Sequence, residues 1–335
     1  MKDIMKMMFQ LLVAGLLAAT FCGCSGQTAQ SGLMDVIFDT DANNELDDQH
    51  AIAYLLLNDG TFNVLGITTN ATRVGGPASE HSREARRVLG LIGKAGEGMQ
   101  VIDGATASFM DIRDSLGNEV YDGCEAVEFI IGKARGYSPD NKLTLIAVGK
   151  LTNVALALEK APEIASNIRL VWLGSNYPKP GEYNMENDIP AMNYVLDTEV
   201  PFEIVTVKGK EGHGTDYVRV TLDYVQNNFA GLGPKVETPV EGRHGGEFSC
   251  FGDYAVNLFE HIELKGPEKT RALYDMAAVA IVKNPQWAVP YEIPAPAYVD
   301  GAWVARDDNP RKVIIWDDFS KDEIVEDFIA TLKAE

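Results

Sequence analysis

Short apolar runs rich in β-branched residues recur along the chain at Val36–Phe38, Val64–Thr68, Leu143–Val148, Ile168–Leu173 and Phe202–Val207. Helical stretches separate them at Asp48–Leu57, His81–Leu91, Ala126–Ala134, Asn153–Lys160 and Ala191–Leu196. A strand that is apolar on both sides has no solvent face, so such runs belong inside a parallel sheet. Each parallel return needs a crossover, usually a helix. The alternation predicts an α/β fold: an open, mainly parallel Rossmann-like sheet with helices on both faces. Thr215–Asn228 and Asp275–Val282 read as further helices, and Val313–Trp316 as a late strand. Ser320 with Glu323 forms a capping-box pattern opening a last helix over Lys321–Leu332. Gly231–Gly246 and Pro285–Pro296 read as loops bordering a cleft.

The turn after the first run concentrates charge. Asp39-Thr40-Asp41-Ala42-Asn43-Asn44-Glu45-Leu46-Asp47-Asp48 holds four aspartates and one glutamate in ten residues. Open α/β sheets place their sites at such strand-to-helix turns. Crowded acids repel one another, and a hard cation with oxygen ligands, calcium or magnesium rather than zinc, would supply the counter-charge. A solvated acidic loop with Asp47 capping the next helix is the alternative that composition leaves open.

The remaining composition narrows the function. Asp and Glu total 49 against 29 Lys and Arg, a net charge of −20 that disfavours nucleic acid and anionic lipid as partners. No Gly-x-Gly-x-x-Gly follows the first strand, and Walker and Gly-x-Ser-x-Gly motifs are absent, which argues against nucleotide-cofactor and serine-hydrolase chemistry. The five histidines form no metal-binding cluster in sequence. At the N-terminus, Lys2 and Lys6 precede an apolar Phe9–Phe21 segment, too short for a comfortable span, that ends in Phe21-Cys22-Gly23-Cys24. This resembles the lipobox of bacterial lipoproteins. It predicts a signal peptide over residues 1–23, lipidated Cys24 with a flexible tether over 24–34, and a single domain over 35–335. Membrane contact would then be by lipid anchor only, with the domain in the periplasm or outside the cell. Cys124 and Cys250 could pair but read better as two partly buried thiols.

Motifs along the chain resemble the inosine–uridine-preferring nucleoside hydrolases. That family opens with Asp-x-Asp-Pro-Gly-x-Asp-Asp; here Asp39, Asp41, Asp47 and Asp48 stand around a turn two residues longer, without the proline and glycine. Gly66-Ile67-Thr68-Thr69, Ala147-Val148-Gly149-Lys150-Leu151-Thr152-Asn153, Leu173-Gly174-Ser175, Gly181-Glu182-Tyr183-Asn184 and Tyr274-Asp275-Met276-Ala277-Ala278-Val279 follow in family order. The resemblance implies a sheet of mixed direction, a homodimer or homotetramer, and one calcium ion. Asp41, Asp48 and Asp275 would be its side-chain ligands and Val148 a main-chain ligand. Asp41 would also act as general base. Asp47, Glu182 and Asn184 would hold ribose hydroxyls, with Asn176 on the same wall and Asn70 a weaker match. Asp39 would brace the loop through backbone donors.

Each assignment has a plainer counterpart. Asp48 and Asp275 also fit first-turn helix acids, Asn153 and Asn176 fit caps, and Glu182 and Asn184 fit solvated loop positions. Tyr274 stands where many members have a leaving-group histidine, and a phenol with pKa near 10 is a poorer proton donor near neutrality. His213 and His244, each beside glycines, are candidates near the leaving group or else surface turns; Trp287 and Trp303 could stack on a base. The expected function is calcium-dependent hydrolysis of the N-glycosidic bond of ribonucleosides, purine and pyrimidine both open. The alternatives are cleavage of another N-ribosyl or glycosyl linkage, with a related riboside as substrate, and non-catalytic sugar or nucleoside binding.

Overall fold

A computed structural model describes residues 32–208 and 213–334. The signal peptide and Cys24 expectations lie outside these residues, and only the end of the expected tether falls inside them.

The predicted apolar runs all become strands of one eight-stranded sheet. These are β1 (Met34–Thr40), β2 (Phe62–Thr69), β3 (Val101–Ile102), β4 (Leu143–Ala147), β5 (Ile168–Leu173) and β6 (Phe202–Val205), joined by Lys312–Asp317 and Val289–Pro294. From one edge the order is Val289–Pro294, Lys312–Asp317, β6, β5, β4, β1, β2, β3. All neighbours run parallel except the Val289–Pro294 and Lys312–Asp317 pair, so the sheet is mixed but mainly parallel. The strand order reverses direction at β1, which pairs with both β2 and β4. A crevice at such a reversal, outside the carboxyl ends of the strands, is where open α/β sheets bind ligands.

Strand alternation sorts the core into two layers. Val36 and Phe38 pack with the helices Asp47–Leu57, Ala78–Leu91, Phe251–Glu260, Tyr274–Lys283 and Lys321–Lys333. Ile37, Leu145 and Ala147 face the helices Cys124–Ala134, Thr152–Lys160 and Ile189–Asp197 on the other side. Period-two placement therefore buries every residue of Val36-Ile37-Phe38 completely.

Three local expectations change. The single helix expected over Thr215–Asn228 is a 3-10 turn (Thr215–Tyr217), a strand (Arg219–Thr221) antiparallel to Thr270–Ala272, and a helix (Leu222–Asn228). Val218, Val220 and Thr221 are β-branched and favour the strand, and Thr221 Oγ1 then caps the helix by accepting from Tyr224 N at 3.0 Å. The proline-rich segment is not all loop: it forms the edge strand Val289–Pro294, where Pro290 and Pro294 are tolerated because one side lacks a ladder partner. The last helix forms as expected, but the Ser320 side chain makes no cap hydrogen bond. Cys124 is half-buried, Cys250 is buried, and neither is in a disulfide.

Candidate active site

β1, β4 and the start of two helices bring the acids together. Asp39 and Asp41 lie at the end of β1 and just beyond it; Asp47 and Asp48 occupy the first turn of Asp47–Leu57; Asp275 occupies the first turn of Tyr274–Lys283. The positive ends of two helix dipoles therefore point at one acidic cluster. Asp41, Asp47, Asp48 and Asp275 are all buried. Carboxylate oxygens of Asp47, Asp48 and Asp275 lie within 4.8 Å of one another.

Burial raises Asp39 and Asp41 to about 6 and Asp47 to about 7. Asp48 and Asp275 lie well above the usual carboxylate range, first from burial and then from the neighbouring acids. Lys150 is buried nearby, but its ammonium donates to the carbonyls of Thr106 (2.9 Å) and Ala107 (2.6 Å). The trio thus offers hard oxygens that cannot all ionise without a counter-charge, a donor set that fits a divalent cation. The Asp47, Asp48 and Asp275 grouping differs from the expected Asp41, Asp48 and Asp275 set. Asp41 stands beside it, its Oδ2 accepting from Thr72 Oγ1 at 2.6 Å and Asn44 Nδ2 at 3.1 Å.

A cavity of about 280 Å³ opens onto the cluster. Asp41, Asp47, Asp48, Val148, Asn176, Glu182, Asn184, Tyr274 and Asp275 all line it. Asn184 Nδ2 donates to the Val148 carbonyl at 2.8 Å and to Leu173 O at 3.1 Å, which fixes the amide on the cavity wall. Glu182 caps Tyr183–Asn187, its carboxylate accepting from the backbone N–H of Ser175 (2.9 Å), Asn184 (3.0 Å) and Met185 (2.9 Å). Asn176 donates to Gly181 O, and its buried Oδ1 has no partner within the protein. Ser175, immediately before it, holds a left-handed φ of 81°, an arrangement that recurs at functional turns. Tyr274 commits its proton to another side chain: its hydroxyl donates to Asp216 Oδ1 at 2.9 Å, and Asp216 is also paired with Arg219. Burial, then the Asp216 charge, pushes the phenol above its ordinary value.

Asn70, His213 and His244 do not line the cavity. Asn70 donates to Asp39 Oδ2 at 2.9 Å beneath the loop. His213 is half-exposed and faces Asp318 at 3.3 Å. The His244 ring stacks on His261 at 4.8 Å. Trp287 and Trp303 do not line the cavity either; Trp303 packs against Tyr177 and Tyr298. Asp39 is braced by side chains rather than by backbone donors: Thr68 Oγ1 (2.6 Å), Asn153 Nδ2 (2.7 Å) and Asn70. Asn153 therefore supports the acidic loop instead of capping its own helix.

Sequence reasoning missed the groups that hold the long turn. Arg243 donates to the carbonyls of Glu45 (2.8 Å) and Asn43 (3.0 Å), and Arg271 pairs with the Glu45 carboxylate. The Asn43 N–H donates to His81 Nδ1 at 3.0 Å. The turn's extra length was the only signal that such clamps were needed, and it does not say which residues supply them. Lys208, on the cavity rim, was also unmarked.

Fold and site define an α/β protein with a buried acidic centre, poised for a divalent cation, at the strand-order reversal of its sheet. Residues 36–325 match the inosine-uridine preferring nucleoside hydrolases, and the chain belongs to that family. It is 29% identical over 190 residues to an uncharacterized protein of Schizosaccharomyces pombe, covering 50% of this chain and 59% of the relative. It is 29% identical over 168 residues to a probable uridine nucleosidase of Arabidopsis thaliana, covering 44% and 49%. The chain thus spans about half the length of the curated relatives it matches. A purine-preferring ribonucleoside hydrolase from Gardnerella vaginalis shares the fold with a TM-score of 0.68 at 20% identity, over 89% of this chain and 98% of that one.

Proposed function

We propose that the protein hydrolyses the N-glycosidic bond of ribonucleosides to free base and ribose, in a calcium-dependent reaction. The observation that carries this reading is the convergence of Asp41, the Asp47, Asp48 and Asp275 trio, Glu182 and Asn184 on one cavity. Asp41, Asp48, Asp275 and the Val148 carbonyl would hold the ion, with Asp47 beside them. Bound there, calcium would supply a hard Lewis acid that neutralises the acids and favours oxygen ligands.

Asp41 takes the proton of the attacking water. The Asp47 carboxylate and the Asn184 Oδ1 accept from ribose hydroxyls, and Glu182 fixes the wall they stand on, so that water and anomeric carbon meet in line. The surrounding carboxylates stabilise the positive charge that develops on the sugar ring. No covalent intermediate forms, since Asp41 acts on water.

Tyr274 favours a second reading. Its proton is committed to Asp216, which makes it a poor donor to a departing base and suits another N-ribosyl linkage whose leaving group needs no proton. The test is incubation of the calcium-loaded protein with a nucleoside panel and with other N-ribosides, reading free reducing sugar. Release from nucleosides supports the first reading, release from the other ribosides alone supports the second, and none from either defeats both.

The Phe21-Cys22-Gly23-Cys24 run supports export, lipidation at Cys24 and a lipid-anchored domain over residues 35–335 at the bacterial envelope. Among the described residues no helix is long and apolar enough to cross a membrane. Mass analysis of the native N-terminal peptide tests this; an unmodified start beyond Cys24 would refute it. The longer first-aspartate turn is read as a divergence of this member, supported by the arginine clamps on Asn43 and Glu45. Family resemblance supports a homodimer or homotetramer, which sedimentation would distinguish.

A further inference from the structure

We propose that Thr72 and Tyr183 are positioning residues for Asp41, their hydroxyls forming a one-way hydrogen-bond chain that fixes the carboxylate in the orientation a general base needs. The inference rests on the reading of Asp41 as that base. An aspartate carboxylate turns easily about its last torsion, which is broad and roughly two-fold. A base that must meet a water in line cannot be left free to turn.

The chain begins at the Val74 N–H, which donates to the Tyr183 hydroxyl at 3.1 Å. Tyr183 donates to Thr72 Oγ1 at 3.2 Å, and Thr72 donates to Asp41 Oδ2 at 2.6 Å. Each hydroxyl has one proton, so the direction is set throughout and each bond polarises the next. Thr72 Oγ1 also lies 3.4 Å from the Val74 carbonyl, but its single proton is better placed on the nearer, anionic oxygen. Asn44 Nδ2 holds the same Oδ2 from the other side at 3.1 Å. With Oδ2 held twice, Oδ1 is the oxygen left to accept the proton of water.

The anchoring is built from two elements. Thr72–Val74 lies in the loop after β2, whereas Tyr183 stands between Glu182 and Asn184 at the start of Tyr183–Asn187. The Arg73 N–H donates to Asn187 Oδ1 at 2.8 Å, and the Arg73 guanidinium lies 4.9 Å from the centre of the Tyr183 ring. The loop and the short helix are thereby tied at two points. The residues that face the sugar and the residue that activates water are parts of one hydrogen-bonded unit.

The test uses the full, calcium-loaded protein and variants that each remove one hydroxyl. Thr72→Val should lower kcat by about 10- to 100-fold, the range seen when the partners orienting a functional group are lost. KM, measured at saturating calcium, should stay within about twofold, and Thr72→Ser should restore most of the rate, because the lost group is the hydroxyl. Tyr183→Phe should lower kcat less, and should add nothing once Thr72 is already valine, the non-additivity expected of groups acting in series. A crystal structure of Thr72→Val gives a readout independent of turnover: the Asp41 carboxylate should be rotated or split between two positions. Wild-type kcat in both single variants, independent multiplication of their effects, no rescue by Thr72→Ser, or an unmoved Asp41 would each overturn the proposal. Asp41→Asn separates the two levels. If that change leaves kcat intact, the general-base reading fails; if it abolishes turnover while Thr72→Val keeps the wild-type rate, only the positioning role fails.

Discussion

Removing the cation should make stability depend on pH in a direction opposite to that of an ordinary acid-sensitive protein. Asp47 rises from 3.8 to about 7 in the folded, metal-free protein because burial disfavours its charge. A carboxyl whose folded pKa exceeds its unfolded one binds its proton more tightly when folded, so its stability contribution is present at acid pH and is lost as pH rises through the folded value. At about 1.4 kcal/mol per pH unit, Asp47 alone costs up to about 4 kcal/mol between pH 4 and 7. Asp48 and Asp275 share the same repulsion, so their contributions overlap with this figure and do not add to it. Calcium at 100 times its dissociation constant returns about 2.7 kcal/mol. For a domain of this size that is a rise in Tm of about 4 °C. Thermal melts in chelator should therefore show Tm falling as pH rises from about 5 to 8, and calcium should raise Tm most at the alkaline end. Coincident melting curves with chelator and with calcium across that range would refute the claim that these acids form a cation site.

Other outcomes follow from the same geometry. Asp41→Asn should lower kcat by about 10²- to 10⁴-fold in steady-state kinetics while the melting transition stays cooperative, the range expected for losing a general base. Tyr274→His should leave nucleoside turnover unchanged or raise it if the tyrosine merely replaces a leaving-group histidine; loss of turnover would show that the bond to Asp216 is needed. Asp39→Ala strips the acceptor from Thr68, Asn70 and Asn153 in a buried site and should destabilise the fold by about 2–4 kcal/mol in urea titrations. Arg243→Ala should raise KM or lower calcium affinity, measured by kinetics and calorimetry, by freeing the Asn43 and Glu45 carbonyls of the long turn.

Sequence reading worked best where one local signal decides the structure. Val36-Ile37-Phe38 followed by an acid run and Ala51-Ile52 fixes a strand, a turn and a helix together, since their hydrophobic periods differ. The cavity wall was legible because Asp47, Asp48, Val148, Glu182, Asn184 and Asp275 lie inside motifs with a fixed order. What escaped depends on contacts between distant segments. Arg243 meets Asn43 across 200 positions, and nothing local to Arg243-His244-Gly245 announces it. His213 and His244 illustrate the converse: histidine beside glycine suggests chemistry, but side-chain direction put one against Asp318 and stacked the other on His261. His50, just after the acidic turn, is a packing residue, donating from Nδ1 to Leu46 O at 2.6 Å within a cage of Phe229, Phe251, Phe259 and Phe328. Around 215–228 a helical reading failed because β-branched residues paired with a strand some fifty positions away.

The acids at the strand-order reversal should hold a cation and a ribose together. A crystal structure of the calcium-loaded protein with a ribose-like transition-state mimic tests it directly. A cation should sit among Asp41, Asp48, Asp275 and the Val148 carbonyl, with the mimic's vicinal hydroxyls turned toward it, Asp47 and Asn184 within hydrogen-bond reach of the ring, and the anomeric position beside Asp41. A ring facing away from the acids, with Asp47 and Asn184 out of reach, or a cluster that binds no cation at saturating calcium, would contradict it.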